Sequence, residues 1–171
     1  MGWLKRTGVV VLWLAASVGC DQATKAIATE HLKGGPVHSY LGDTFRLLWA
    51  TNDGAFLSLG SNLPDGARFG VLTVAVGLLL LGIVGYALAS PKLTMLQVVG
   101  YAVIAGGGLS NWVDRARFGG VVVDFMNLGV GSLRTGIFNV ADLAIIAGIV
   151  VLFVDGWRKD RERAVTPPAP G

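Results

Sequence analysis

Two stretches, Phe69–Pro91 and Leu93–Val113, contain no charged residue, and only Lys92 separates them. A bilayer's hydrocarbon core takes about 20 consecutive apolar residues as a helix, so each run is long enough to cross. Lipid offers no partner to open backbone N–H and C=O groups, so crossing runs of this length are helical. Two further runs are apolar with isolated exceptions: Thr7–Ala28 holds Asp21 and Lys25, and Ile137–Val154 holds Asn139 and Asp142. The expectation is a mainly α integral membrane protein with four transmembrane helices, at about 7–28, 69–89, 94–113 and 137–155, in a single membrane domain over 1–165. Composition points the same way: 53% of residues are hydrophobic and 15% charged, against about 25% charged in soluble domains. That balance excludes a disordered chain. The lone cysteine, Cys20, excludes an internal disulfide or a Cys-based zinc site.

An even number of spans puts both termini on one side. Lys5 and Arg6 precede the first span, and Arg158, Lys159, Arg161 and Arg163 follow the last. The positive-inside rule assigns both ends to the cytoplasm, and the net charge of +3 reads as a topology signal, not a nucleic-acid footprint. The outer segments are then about 29–68 and 114–136. The first contains the β-like run Phe45–Thr51 among Gly, Pro, Asn and Asp turn signals, which suggests a small sheet lying on the membrane. The Pro-rich tail 166–171 is expected to be disordered. Trp3, Trp112 and Trp157 fall near span ends and read as interfacial belt residues, with Trp13 as packing. Lys5-Arg6, an apolar run and Ser17-Val18-Gly19-Cys20 also echo a lipoprotein signal peptide. Such signals prefer Leu where Ser17 stands and continue into a soluble domain, whereas this chain continues into three more spans. Otherwise Cys20 is a small packing residue in the first span.

Polar residues inside the spans converge on one leaflet. Asp142 lies ~18 Å from the cytoplasmic end of the last span and Asp21 ~21 Å from that of the first, at 1.5 Å per residue. Asn111 stands near the outer end of the third span, and Asp124 sits within the outer apolar run Val121–Phe125. Asp124 and Asp142 can therefore meet near the outer membrane surface, unless the intervening loop holds them apart. Two adjacent carboxylates share a proton, so one can act as base for a water and the other as acid. Metal hydrolysis is poorly supported, because His31 and His38 lack zinc-type spacing, and no nucleophile triad has a placed base. Each group also has a plainer reading. Asp21 and Lys25 suit an i,i+4 ion pair, Asn111 and Asn139 suit interhelical hydrogen bonds, and Asp114-Arg115 suits an interfacial anchor. Asp142 has no basic partner nearby in sequence.

These residues resemble a known family, signal peptidase II. Asp21-Gln22-Ala23-Thr24-Lys25 looks like its first motif and Asn52-Asp53-Gly54-Ala55-Phe56 like its Asn-x-Gly-Ala motif. Gly106–Arg115 resembles its Gly-Gly…Asn-x-x-Asp-Arg motif, and Val122–Phe125 and Phe138–Asp142 resemble the two motifs that carry its aspartates. The motifs follow the family's order from about Val11 to Trp157. The resemblance implies a four-helix membrane bundle with a small periplasmic β-cradle, and Asp124 and Asp142 as the catalytic dyad. It implies that Asn111, Arg115, Asn139, Asn52 and Gly54 line or brace the site, and that Asp21 and Lys25 support the architecture or the substrate's approach. The implied activity is an aspartic endopeptidase of the bacterial inner membrane with its site on the periplasmic face. It would cut prolipoproteins just before a diacylglyceryl-modified cysteine, as a monomer without metal or cofactor, and be blocked by globomycin-type peptides. One departure lies after Asp53, where Gly-Ala-Phe-Leu-Ser stands in place of the commoner Gly-Ala-Ala-Phe-Ser.

Two other classes compete. A proton-coupled transporter would use Asp21, Lys25 and Asp142 as a relay, but no internal repeat accompanies them. A structural subunit would pack through its Gly-rich spans and would tolerate loss of both aspartates.

Overall fold

The computed structural model describes residues 2–54, 64, 66–67 and 70–165. Phe69 at the start of the second expected span, Ala55 and Phe56 of the Asn-x-Gly-Ala motif, Arg68 and the tail 166–171 lie outside the described residues. Four α-helices, α1 (Trp3–Leu32), α2 (Val76–Ala89), α3 (Met95–Arg117) and α4 (Val140–Val165), carry the bundle. A π-helical turn, Gly70–Ala75, runs into α2. Four short strands, β1 (His38–Tyr40), β2 (Phe45–Asn52), β3 (Val122–Val130) and β4 (Leu133–Arg134), form one antiparallel sheet in chain order.

The distribution of apolar side chains is that of a lipid-solvated protein. Leu4, Leu81 and Phe153 are 80%, 70% and 71% exposed, whereas Asp21 and Asn139 are fully buried. Three described helical stretches are long and apolar enough to cross a membrane: Trp3–Leu32, Gly70–Ala89 and Val140–Glu162, with mean hydropathies of 1.2, 2.5 and 2.1. Helix α3 has 23 residues, or ~34 Å at 1.5 Å per residue, which is also enough length. Its apolar character is diluted because it is the inner helix, carrying glycines and polar groups toward its neighbours.

That inner position follows from three successive glycines. Consecutive helical residues point about 100° apart, so each glycine faces a different partner. A Cβ on Gly106 would lie 2.6 Å from Ser17 of α1, and one on Gly108 would lie 2.5 Å from Leu80 of α2. One on Gly107 would collide with the carbonyl oxygen of Ala141 in α4. In lipid, where apolar burial drives little helix association, such close approach is a main source of cohesion. An apolar cluster of Val10, Ala87, Val98 and Ala102 packs the opposite end of the bundle.

Local signals set the ends. Helix α2 stops before Pro91, and Thr94 opens α3 with a capping box: its hydroxyl accepts from the Gln97 N–H at 3.2 Å, and the Gln97 side chain accepts from the Thr94 N–H at 3.1 Å. The helices overrun the apolar runs. Helix α1 reaches Leu32 and α3 reaches Arg117, so Thr29–Leu32 and Asp114–Arg117 are helical where outer segments were expected. Helix α4 starts at Val140, later than the apolar run suggests. Apolarity marks the hydrocarbon boundary, whereas caps mark the helix boundary.

The expected β-like run Phe45–Thr51 is β2. It pairs with β3 in the register Phe45↔Leu128, Leu47↔Met126, Ala50↔Asp124 and Asn52↔Val122, with an irregularity between Leu47 and Ala50. The sheet leans on the end of α1, where the Trp49 indole N–H donates to Thr29 Oγ1 at 3.1 Å and Lys33 lies over the Trp49 ring. Two packing expectations change, at Trp13 and Cys20. Trp13 is 41% exposed and does not pack in the core. Trp112 latches the π-helical turn by donating to the Thr73 carbonyl at 2.7 Å. Cys20 faces outward and is not a packing residue.

Candidate active site

Asn139 and Asp142 are one local structure. Asn139 is the residue before α4, and the Asp142 N–H donates to its side-chain oxygen at 3.1 Å. In return the Asn139 N–H donates to Asp142 Oδ2 at 3.1 Å. This reciprocal pair is a capping box, so the spacing Asn-x-x-Asp both starts the helix and fixes the carboxylate. The second Asp142 oxygen accepts from Asn111 Nδ2 at 3.1 Å.

Asp124 arrives from the sheet. Phe138 zips β3 to the start of α4: its N–H donates to the Met126 carbonyl at 2.8 Å, and its carbonyl accepts from the Met126 N–H at 2.9 Å. One Asp124 oxygen accepts from Asn139 Nδ2 at 2.6 Å and the other from Asn52 Nδ2 at 2.9 Å. Asn52 sits opposite Val122, so it is the diagonal same-face neighbour of Asp124. Asn139 thus touches both aspartates at once. Burial pushes the Asp124 carboxyl up to about 6, and the Asp142 charge adds to that push. The bonds from Asn52 and Asn139 and the charge of Lys25 act in the opposite direction.

Below this pair lies a second polar layer that holds the helices together. Lys25 Nζ lies 2.7 Å from Asp21 Oδ2 and 2.8 Å from Asp114 Oδ2, and it donates to Asn111 Oδ1 at 2.8 Å. Asp21 also accepts from the Ser110 hydroxyl at 2.7 Å and from the Ala141 N–H at 2.8 Å. The latter bond satisfies a free N–H in the first turn of α4 from a carboxylate on α1, where the helix dipole favours negative charge. Asp21 and Lys25 are thus an i,i+4 ion pair whose further partners lie on α3 and at the start of α4. Asn111 likewise bonds across helices, to Lys25, Asn139 and Asp142.

Arg115 spans the site's rim. It donates to the Gly54 carbonyl at 2.6 Å and to the Asn111 carbonyl at 3.3 Å, while Gly54 N–H donates to Asn52 Oδ1 at 3.0 Å. All nine residues singled out from the sequence belong to this connected group. Three participants were not among them. Asp114 is buried, pairs with Lys25 and accepts from the Val123 N–H. Ser110 is fully buried against Asp21, and Gln22 donates to Asp114 Oδ1 at 2.7 Å. The available signal was helical phase: Ser110 and Asp114 are four apart, on the face that includes Asn111.

A cavity of about 340 Å³ opens beside Asp142, between α2, α3 and α4. Asn111, Arg115 and Asp142 form its polar end, and Ile145, Ile146, Ile149, Leu72 and Val76 its apolar walls. Asp124 is 2% exposed, covered by Asn139 and Asn52. Among the described residues, no three or more His, Cys, Asp or Glu side chains are grouped to hold a metal ion. The arrangement offers two carboxylates in different environments, joined through one amide, with Asp142 at the head of an apolar cleft.

Comparison with known proteins gives a consistent result. Residues 13–158 match the family model described as signal peptidase (SPase) II. The lipoprotein signal peptidase of Acaryochloris marina is 30% identical over 99% of this chain and 100% of its own length. That of Sphingopyxis alaskensis is 37% identical over 83% of this chain and 81% of its own. A solved bacterial membrane enzyme superposes with a TM-score of 0.78 at 20% identity, covering 95% of each chain.

Proposed function

The chain belongs to the signal peptidase II family, and from that premise we propose that it removes the signal peptide of diacylglyceryl-modified prolipoproteins, cutting just before the lipidated cysteine. Asp124 and Asp142 are the proposed catalytic residues. The observation that carries this reading is the joining of Asp124 to Asp142 through Asn139, with Asp142 opening on a cleft that is polar at one end and apolar beyond. A substrate anchored by acyl chains presents its scissile bond at fixed depth, and a cleft of that polarity suits it.

In the proposed step a water oxygen adds to the scissile carbonyl carbon, and the water proton passes to the ionised aspartate. The protonated aspartate donates toward the carbonyl oxygen. The tetrahedral intermediate collapses, the C–N bond breaks, and the departing nitrogen takes a proton from the dyad. The products are a signal peptide carboxylate and a free amine on the lipidated cysteine, with no covalent acyl-enzyme. Arg115 and Asn111 orient the substrate at the cleft's polar end, and Asn52, Gly54 and Asn139 brace Asp124. Globomycin-type peptides would occupy the same cleft between the aspartates.

The deciding experiment is a cleavage assay in lipid with lipidated and unlipidated prolipoprotein. Wild type should cut only the lipidated form. Folded Asp124→Asn and Asp142→Asn should each lose about 10²- to 10⁴-fold in rate, the range for a general acid or base. Near-full activity in either variant would remove that residue from the mechanism.

We further propose four spans within one domain over 1–165, a monomer, and both termini in the cytoplasm. The charges at Lys5, Arg6 and the tail support the orientation. Reporter fusions at both ends should report the cytoplasmic side, and a split result would mean an odd number of crossings and overturn the four-span reading.

A further inference from the structure

The end of the bundle opposite the aspartates contains a second, unrelated polar cavity. It has a volume of about 230 Å³ and is lined by Trp3, Arg6, Leu88, Ala89, Pro91 and Leu93. Arg6 is its only charged wall. Arg6 is 7% exposed, which is unusual for an arginine. Its guanidinium donates to the Leu88 carbonyl at 3.2 Å and the Leu93 carbonyl at 3.4 Å, and its Nε–H is buried without a partner.

These contacts leave a charge balance unsolved. Among the described residues, no carboxylate lies within ion-pair distance of Arg6, and Asp155 on α4 is paired to Lys159 at 2.7 Å. One bond caps the last turn of α2 at Leu88 and the other reaches Leu93 in the turn beyond, but neutral carbonyls do not neutralise a buried cation, which is costly unless an anion accompanies it. A guanidinium presents five donors in a fork that fits phosphate oxygens, and three of Arg6's remain unused. The cavity lies beside the Ser90–Lys92 turn, with exposed Trp3 at its mouth and exposed Lys5 and Lys92 adjacent in sequence. Indole rings and basic side chains are the groups that settle at lipid headgroup level.

We propose that this cavity is a phosphate-binding site, with Arg6 as the principal ligand and the phosphate of an anionic membrane lipid, or a free phosphate ester, as occupant. The site lies ~22 Å along α1 from Asp21 by helical rise and is independent of the peptidase reading. Its ligand chemistry needs one anionic phosphate and, for a lipid, chains lying along the α1–α2 surface.

The test is native mass spectrometry of the full chain released from detergent, with three probes. Phosphatidylglycerol carries chains and phosphate, diacylglycerol carries the chains alone, and glycerol 3-phosphate carries the phosphate alone. Wild type should retain one phosphatidylglycerol at least tenfold more tightly than diacylglycerol, and Arg6→Gln should abolish the difference. Ala89→Phe, which fills the cavity and keeps Arg6, should do the same and covers the case in which Arg6→Gln does not fold. Arg6-dependent binding of glycerol 3-phosphate as tight as that of the lipid would also support the site and identify a soluble occupant. Equal retention of the two lipids by wild type, or unchanged phosphatidylglycerol retention in folded Arg6→Gln and Ala89→Phe, would overturn it and leave Arg6 as a helix cap.

Discussion

Asn139 is the residue on which the site's geometry turns. It caps α4, locks Asp142 in place and donates to Asp124, all while fully buried. The sequence left it divided between interhelical glue and site residue, and in the structure it bonds across helices and to both aspartates. The Asp124 carboxyl is the more informative titration probe. Its value of about 6 in the fold lies above the ordinary 3.8, chiefly through burial. A raised acid binds its proton more tightly folded than unfolded. Stability from this group is therefore present below about pH 4 and is lost as pH rises through about 6. Asn52 favours the ionised form, so Asn52→Ala should move Asp124's titration to higher pH. We expect one limb of the kcat/KM profile near pH 6 in wild type, shifted upward in Asn52→Ala. An unshifted limb would assign it to another group.

At the scale of elements, α3 is decided by what it lacks. Gly106, Gly107 and Gly108 each face a different helix, and Gly107 lies against the backbone of α4 one residue before Asp142. A backbone carbonyl cannot rotate away as a side-chain tip can. Gly107→Ala should therefore cost about 1–3 kcal/mol by overpacking and lower activity by displacing Asp142. Gly8→Ala, where a Cβ would meet nothing within 4 Å, should leave activity unchanged and keep stability or raise it by up to about 1 kcal/mol. Thermal unfolding in detergent beside the cleavage assay checks the pair, and equal behaviour of the two variants would refute the packing argument. The glycines were legible in the sequence as places of close approach. Which helix each admits was not, because that depends on the bundle's order.

At the scale of the whole molecule, a layer of buried charge ties α1, α3, α4 and β3 together. Lys25 is 4% exposed and serves Asp21, Asp114 and Asn111. Lys25→Met would leave two buried carboxylates without a cation, at a cost of roughly 3–5 kcal/mol. Arg46→Met, at the exposed pair with Asp43, should cost far less. Denaturant unfolding of both variants measures the contrast, and similar losses would mean that the layer is not what holds the helices in register. In lipid the argument has a particular force, since apolar surfaces gain little by meeting one another and polar bonds fix which faces meet.

The sequence by itself determined the membrane-spanning class and the β-like segment, and it marked Asp21, Lys25, Asn111, Asn139 and Asp142 as polar residues within spans, because hydropathy and expensive charges are local properties of the chain. It also marked Asp124 and Asp142 as able to meet. Only the tertiary structure decided that Phe138 zips the sheet to α4, that Asp21 caps a helix on the far side of the bundle, and that Asp114, Ser110 and Gln22 belong to the same network. Those facts rest on distances between residues up to 120 positions apart. Such pairings are set by how the helices pack around α3, and no local pattern in the chain encodes that order.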